Sequence, residues 1–275
     1  MSNNFIKKNN EERIAKRIAH LGYCSRRDAE KLIMQKKVKV NGVTIETPAF
    51  LVSKKDKISI DGSELGSKVE TKLYLYYKPN GLVCSKADEK GRETIYDYLP
   101  KELPRVVYVG RLDLTSEGLL LLTNNGELSN MLTSPYLGLK RTYKVRVYGR
   151  VEQKQLDELA LGGTIDGIYY QPIIANILRR TNDNMWLEFV LKEGKNREIR
   201  KICEYLGLKV NRLIRTSFGP YSLDDLEEGD VKEADLRVLQ KILPKKDFES
   251  LNVDLKKGKS KKIFKFEDNF KDERN

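Results

Sequence analysis

The chain has few of the residues that most often build metal centres and nucleophilic triads. Its 275 residues include one histidine, His20, and three cysteines, Cys24, Cys84 and Cys203, with no CxxC pair. A histidine-based metal cluster or a Ser-His-Asp triad elsewhere in the chain is therefore excluded. The scattered cysteines indicate reduced thiols and not disulfides or zinc ligands. We expect no metal site, and chemistry that depends on carboxylate, Lys, Arg and Tyr side chains.

Long apolar runs and nucleotide-binding loops are also missing. No stretch of about 18 apolar residues occurs, which predicts that no helix crosses a membrane. The first residues, MSNNFIKKNNEER, lack the apolar core of a signal peptide, which indicates a cytoplasmic protein. Neither a GxxxxGKS/T loop nor a GxGxxG run after a strand is present, so we expect no nucleotide or other small-molecule cofactor.

Positive charge exceeds negative charge. The 52 Lys and Arg against 40 Asp and Glu give a formal net charge of +12. This excess favours an anionic partner, because each phosphate that Lys or Arg neutralises releases condensed counterions. Net charge alone leaves RNA, DNA and an anionic membrane surface open. The 39% of hydrophobic residues is typical of a globular protein.

Residues 12–60 are predicted to form a small unit of two helices followed by a hairpin. Ile14, Ile18 and Leu21 share a helical face, and Ser25 is a predicted N-cap of the second helix. An alternating strand at 38–43 then contains an Asn-Gly turn. Between residues 13 and 40, nine Lys or Arg face only two acids. The alternative to phosphate binding is an ordinary solvated helix face. We take these as candidate RNA contacts: Arg13, Lys16, Arg17, Arg26, Arg27, Lys31, Lys37 and Lys39.

The rest of the chain divides by composition. Residues 61–71 are short, polar and glycine-bearing, which is typical of a linker. Over residues 72–243, β-rich runs alternate irregularly with helices predicted at 125–132, 152–160 and 196–206. This pattern predicts an α+β domain on a mixed, mainly antiparallel sheet. Residues 244–275 are Lys-rich, with KKGKSKK at 256–262. We predict that they form a flexible tail that adds nonspecific affinity for RNA.

The most informative segment is GRLDLTSEGLLLLTNNG at 110–126. A predicted strand ends here at Asp113, in a polar loop. By itself this pattern leaves simpler roles open. An Asp after a strand commonly caps a turn. Tyr143 in an alternating strand could be half-buried packing, and Arg200 on a helix could be a solvated cation.

Four segments, in order, resemble the RsuA-like family of ribosomal RNA pseudouridine synthases: KPNGLVCS at 78–85, the run from 110 to 135, KRTYKV at 140–145 and EGKNREIRK at 193–201. The N-terminal unit resembles the RNA-binding domain named after small-subunit ribosomal protein four. Together the resemblance covers roughly residues 12–235. It implies that Asp113 is the catalytic carboxylate, that Tyr143 contacts the target base and that Arg200 pairs with Asp113. Arg197 remains an alternative partner, and Arg111, Lys195 and Arg197 are further candidate RNA contacts.

The resemblance implies isomerisation of uridine to pseudouridine in ribosomal RNA, with large-subunit rRNA favoured and small-subunit rRNA open. An ionised carboxylate would attack the glycosidic carbon or remove the proton from the adjacent carbon. A nearby guanidinium would keep that carboxylate deprotonated against desolvation. The alternative function is a non-catalytic rRNA-binding factor for ribosome assembly. The implied partner is ribosomal RNA or a ribosomal subunit precursor, bound by a monomer with no membrane and no small-molecule cofactor.

Overall fold

The computed structural model describes residues 11–66, 69–255 and 263–265. The chain divides into two compact units, Met1–Thr71 and Lys72–Asn275. Within the described residues, no helix combines the length and apolar character needed to cross a bilayer.

The first unit contains two helices and six short strands. The two helices and the hairpin of β2 and β3 fall where the sequence predicts them. The central sheet has the strand order β3-β2-β5-β6, and β1 pairs separately with β4. Its elements are α1 Ile14–His20, α2 Arg26–Met34, β1 Glu12–Arg13, β2 Val38–Val40, β3 Val43–Thr44, β4 Leu51–Val52, β5 Ile58–Ile60 and β6 Ser63–Glu64.

The predicted cap of α2 is confirmed. The Oγ atom of Ser25 accepts a hydrogen bond from the backbone N–H of Asp28 at 3.1 Å, which satisfies a donor that the first helical turn would otherwise leave open. Ile14, Ile18 and Ile33 are fully buried between the helices and the sheet. Each such side chain contributes about 1.5–3 kcal/mol through removal from water. A single apolar core therefore holds this small unit together.

The second unit is built on one large sheet. The strands of the second unit are β7 Leu73–Lys78, β8 Val107–Val109, β9 Glu117–Thr123, β10 Arg141–Tyr148, β11 Gly163–Ile165, β12 Ile168–Tyr170, β13 Ile174–Arg180, β14 Asn184–Leu191, β15 Lys209–Phe218, β16 Tyr221–Ser222, β17 Val231–Glu233 and β18 Ile263–Phe264. Its helices are α3 Gly126–Thr133, α4 Gln153–Asp157, α5 Glu198–Tyr205 and α6 Lys245–Ser250, with 3₁₀ turns at Ile95–Asp97, Pro135–Leu137, Glu158–Leu161 and Leu236–Lys241.

The ten strands of the large sheet follow the order β13-β14-β10-β15-β9-β7-β17-β18, with β8 beside β9 and β16 beside β15. The neighbouring pairs are antiparallel except β9 and β15, which run parallel. The prediction of an α+β fold on a mixed, mainly antiparallel sheet is confirmed. The parallel pair lies at the centre of the sheet and joins its two halves.

Strand β9 explains the apolar run that follows the GRLD segment. Leu120 and Leu122 face one core together with α4 and α5. Leu119 and Leu121 face a second core together with α3 and the later helices. All seven residues of β9 are buried, because the sheet is covered on both sides at this strand. The loop that precedes β9 is thus attached to the most buried strand of the unit.

Two predicted elements differ from the structure. The helix predicted at 152–160 is an α-helix only over Gln153–Asp157 and continues as a 3₁₀ turn. The prediction of a flexible tail from residue 244 is wrong for the described part, because α6 buries Phe248 and β18 pairs with β17. Scattered apolar residues in a Lys-rich context are enough to anchor these two elements. The KKGKSKK run at 256–262 lies outside the described residues.

The parallel contact between β9 and β15 generates a stability prediction at Gly118, where φ is +100°. A methyl group there would lie 2.4 Å from the carbonyl oxygen of Arg215 and 2.8 Å from its backbone nitrogen. We expect Gly118→Ala to lower the free energy of unfolding by about 2–4 kcal/mol in chemical denaturation, through backbone strain.

Gly126→Ala is the matched control, because nothing lies within 4 Å of a methyl group at that position. It should change the free energy of unfolding by less than about 1 kcal/mol, and in the stabilising direction. Equal losses from the two variants would contradict the assignment of strain to the strand contact.

Candidate active site

A cleft of about 630 Å³ opens in the second unit, where the loop before β9 meets the start of α5 and the inner face of β10 and β15. Asp113, Tyr143, Arg111, Lys195 and Arg197 all line it. Three segments that are distant in sequence, at 110–116, 141–143 and 191–199, therefore meet in one place. The structure brings together five of the side chains that sequence analysis selected in this unit.

The loop that carries Asp113 is held through its backbone. Four consecutive carbonyl oxygens, from residue 113 to residue 116, each accept a hydrogen bond. The carbonyl of Asp113 accepts from the N–H of Ser116 at 3.1 Å, and that of Leu114 from the N–H of Gly81 at 2.8 Å. The remaining two carbonyls accept from charged side chains. Asp113 lines the cleft, and it has no ion pair with a described residue.

Lys78 donates the first of the charged hydrogen bonds. It ends β7 and is fully buried. Its ammonium donates to the carbonyl of Ser116 at 2.8 Å and to that of Pro79 at 2.7 Å. Charged donors bind carbonyls more strongly than neutral ones, so Lys78 fastens the loop to the sheet. Sequence analysis recognised the KPNG segment but gave this lysine no role.

Arg200 donates the second charged hydrogen bond, and its acceptor differs from the expected partner, Asp113. Its Nη2 atom donates to the carbonyl of Thr115 at 2.8 Å, and it forms no direct ion pair with Asp113. Burial lowers the pKa of Arg200, the neighbouring charge of Arg197 lowers it further, and the negative charge of Asp113 opposes both. Arg200 therefore lies close enough for the two charges to interact, while its hydrogen bond is to the loop backbone.

Tyr143 lies on β10 with its side chain on the cleft side. It is 9% exposed and belongs both to the cleft wall and to the core of the sheet. The packing role and the substrate-contact role that the sequence left open are thus compatible. The core holds one part of the ring while another part faces the cleft.

Two of the three other predicted residues have observed local roles. Lys195 forms an ion pair with Glu193 at 2.5 Å and lies over the Tyr170 ring at 5.5 Å. Arg197 is exposed and precedes α5 in the left-handed region, with φ of +53°. Arg111 is exposed in the loop that carries Asp113. All three are placed to meet an anionic ligand at the mouth of the cleft.

Sequence analysis missed three buried polar groups of the cleft. Glu198 is 4% exposed and accepts a hydrogen bond from the N–H of Lys195 at 2.9 Å. Arg141 and Arg215 are 9% and 2% exposed, and both stack on the Phe218 ring. One signal for Arg215 was available: it lies two residues from Leu213 in an alternating strand, which predicts an inward side chain.

The predicted basic surface of the first unit is partly neutralised. Ion pairs engage Lys16 and Arg17 with Glu12, Lys31 with Asp28, and Lys37 with Asp61, at 3.5–3.9 Å. Four of the predicted residues are exposed and pair with no acid in the described part of the chain: Arg13, Arg26, Arg27 and Lys39. Of the predicted residues, these four have positive charge that no described acid neutralises.

Glu198 gives a prediction for the dependence of stability on pH. Burial raises its pKa from the ordinary 4.5 to about 7, and the charge of Glu193 acts in the same direction. The native state therefore binds this proton more tightly than the unfolded chain does. As the pH rises from 4.5 to 7, the group progressively lowers stability. Glu198→Gln removes this effect, so its Tm relative to wild type should be higher at pH 8 than at pH 5.

Glu204→Gln, on the exposed side of the same helix, is the control for calorimetry at the two pH values. Its Tm difference from wild type should be the same at both. A Glu198→Gln difference that does not change with pH would refute the assignment of a raised pKa.

The comparisons with known proteins agree with this geometry. The family model "RNA pseudouridylate synthase" matches residues 72–205, and the S4 domain matches residues 12–58. A Rickettsia typhi protein described as an uncharacterised RNA pseudouridine synthase is 46% identical over 237 residues, which covers 85% of this chain and 96% of that protein. The ribosomal large subunit pseudouridine synthase B of Bacillus subtilis is 35% identical over 225 residues, with coverage of 81% and 91%.

A solved structure extends the likeness to three dimensions. A crystal structure of a pseudouridylate synthase matches with a TM-score of 0.60 at 30% identity, and the match covers 84% of this chain and 99% of that one. The resemblance found in the sequence motifs is thereby confirmed at the level of the family. The chain belongs to the RNA pseudouridine synthases and carries an S4 domain ahead of its synthase domain.

Proposed function

We propose that this protein isomerises uridine to pseudouridine in ribosomal RNA, with Asp113 as the catalytic carboxylate and large-subunit rRNA as the favoured substrate. One observation carries the proposal: Asp113 faces a cleft from a loop whose four carbonyls are all hydrogen-bonded. A carboxylate held in this way needs no reorganisation when a substrate arrives. The preference for large-subunit rRNA is supported by the relatives named as synthases of that subunit.

The reaction requires an ionised carboxylate next to the ribose. The bond from C1′ of the ribose to N1 of uracil breaks, the ring turns and C5 bonds to C1′. The proton on C5 is then lost and N1 takes up a proton, so product and substrate are isomers. Asp113 would start this by attacking C1′ or by removing the proton from C2′, and both routes need its negative charge. Arg200, Arg111 and Arg197 place positive charge around the loop that carries Asp113. Tyr143 would hold the loosened base by stacking, worth about 1–3 kcal/mol.

The target uridine must leave its helix or loop to reach the cleft. Extruding a nucleotide costs a few kcal/mol, which contacts to the RNA backbone must supply. The exposed cations that line the cleft suit this role, and so do four exposed cations of the S4 domain, Arg13, Arg26, Arg27 and Lys39. The proposal includes that the protein acts as a cytoplasmic monomer without a small-molecule cofactor.

Asp113→Asn tests the catalytic assignment. The amide cannot attack C1′ or accept the C2′ proton, so release of tritium from [5-³H]uracil-labelled rRNA should fall to below about one thousandth of the wild-type rate. Binding of the rRNA should stay within about threefold, because the amide fills the same volume.

Asp183→Asn is the control. Asp183 directly precedes β14, whereas the residue of that strand that lines the cleft, Leu191, lies at its other end. It should keep wild-type turnover. Turnover by Asp113→Asn at the control rate would refute the catalytic role.

A non-catalytic assembly factor with the same fold is the second candidate function. It predicts tight rRNA binding by the wild-type protein without any release of tritium. Carbodiimide mapping of pseudouridines in rRNA from cells with and without the protein separates the two functions and identifies the target uridine. A site that is pseudouridine in cells with the protein and uridine in cells without it would support the enzymatic function.

The S4 surface gives a separate prediction about RNA affinity. Replacing both Arg26 and Arg27 with Ala removes two exposed cations that have no acidic partner among the described residues. Each lost phosphate contact should lower the slope of log affinity against log salt by about one, so the double variant should bind rRNA less tightly and with a shallower salt dependence.

Lys36→Ala is the matched control, since it removes one cation from the same domain that Glu46 already neutralises at 2.8 Å. Its effect on the slope should be small. Filter binding over a range of salt concentrations measures the slope for each variant. If each removed charge changes the slope equally in the two variants, the overall charge sets the affinity for rRNA and not this surface.

A further inference from the structure

Arg215 lies at an inward-facing position of β15 on the wall of the cleft. It lines the cleft together with Asp113 and Tyr143, and it lies directly opposite Tyr143 in the pairing of β10 with β15. Side chains directly opposite each other project from the same face, with Cβ atoms about 4.5–5.5 Å apart. The guanidinium therefore lies beside the ring that the proposed function assigns to the target base.

Most of the hydrogen-bond donors of Arg215 are unused. Its Nε atom donates to the carbonyl of Leu119 at 2.7 Å. Its Nη2 atom is enclosed by protein and has no acceptor among the described residues, and Nη1 makes no hydrogen bond there either. A guanidinium has five N–H donors, and a buried charge without a partner strongly destabilises a protein. The described part of the chain provides no carboxylate, and too few carbonyls, to accept hydrogen bonds from these donors.

Arg141 provides an internal comparison. It is buried in the same cleft, and both guanidiniums lie over the Phe218 ring, at 4.7 Å for Arg141 and 5.3 Å for Arg215. The Nη1 atom of Arg141, however, donates to the carbonyls of Leu139 at 3.0 Å and Lys192 at 2.8 Å. Backbone anchoring explains Arg141. It does not explain Arg215, whose burial beside a second positive charge needs another reason.

We propose that Arg215 is a further catalytic residue, whose guanidinium donates a hydrogen bond to a carbonyl oxygen of the extruded uracil. The inference rests on the proposed function. When the bond from C1′ to N1 breaks, its electron pair stays with the uracil ring, and the two carbonyl oxygens share the negative charge. C5 then bonds to C1′ and releases its proton to solvent, while N1 takes up a proton. A fixed cation at a carbonyl binds the detached ring more tightly than the intact nucleotide, so it raises the rate and not the affinity.

The depth of Arg215 favours a base carbonyl over a backbone phosphate. Arg215 is 2% exposed, while Arg111 and Arg197 line the same cleft and are exposed. An extruded base enters the pocket, whereas the phosphates on either side remain at its mouth. The exposed pair therefore suits the phosphates, and the buried guanidinium suits the ring.

The test combines protein variants with single-atom changes in the RNA. The probe is an RNA hairpin that carries the mapped uridine, made with uridine, 2-thiouridine or 4-thiouridine at that position. Arg215→Gln and Arg215→Lys should lower the single-turnover rate about 100-fold and leave the Kd of the hairpin within about threefold. One thio substitution should slow the wild-type enzyme at least tenfold more than it slows Arg215→Gln, because sulfur is the weaker acceptor and the variant has lost the donor.

Three outcomes would overturn the inference: a single-turnover rate of Arg215→Gln within threefold of wild type, an equal thio effect in both proteins, or a Kd raised more than tenfold at an unchanged rate. The last would assign the guanidinium to a phosphate. If both variants are unfolded, as shown by the loss of their thermal transition, crosslinking of the wild-type protein to the 4-thiouridine hairpin at 365 nm tests the inference instead. A crosslinked peptide containing residues 213–218 supports the inference, and crosslinks confined to other segments contradict it. A wild-type enzyme that is inactive on the uridine hairpin would refute the proposed function itself.

Discussion

Four hydrogen-bonded carbonyls in a row, from Asp113 to Ser116, are the arrangement on which the cleft depends. Backbone oxygens that lose contact with water need a donor, and here two donors are charged side chains from distant parts of the chain. Lys78 reaches the loop from β7, and Arg200 reaches it from α5. The sheet and the helix must therefore both be in place before the loop has its final shape. The geometry of this loop is in this sense a product of the whole synthase domain.

The cations of the cleft divide into those that hold the protein and those that are available to a ligand. Lys78, Arg141 and Arg200 donate to backbone carbonyls. Arg111 and Arg197 are exposed at the mouth. Such an excess of positive charge suits an anionic substrate.

The elements that carry the motifs were predictable from the sequence, because their signals are local. The cap at Ser25, the strand before Asp113 and the alternation around Tyr143 depend on neighbouring residues, and the structure has these elements in place. The partner of Arg200 was not predictable, because which carbonyl or carboxylate a long side chain reaches depends on the packing of α5 against the loop. Lys78 was missed for the same reason: its acceptor at residue 116 is 38 residues away.

The C-terminal part of the sequence shows a different limit. Composition alone indicated a solvated segment, yet Phe248 and Leu251 are buried against the second core. A few apolar side chains at the right positions outweigh many lysines, because lysines on a helix keep their charge in water while the opposite face packs. The average composition of a segment conceals this.

The pairing of Ile263–Phe264 with Val231–Lys232 has a consequence for the border of the large sheet. Without that last strand, β17 would present a row of unpaired N–H and C=O groups to solvent, a template on which another chain could add. Ion pairs of Lys265 with Glu227 and Asp230 stabilise the position of β18 at this edge. A chain shortened before residue 263 would keep the loop that carries Asp113 but would expose the edge of β17, which favours self-association.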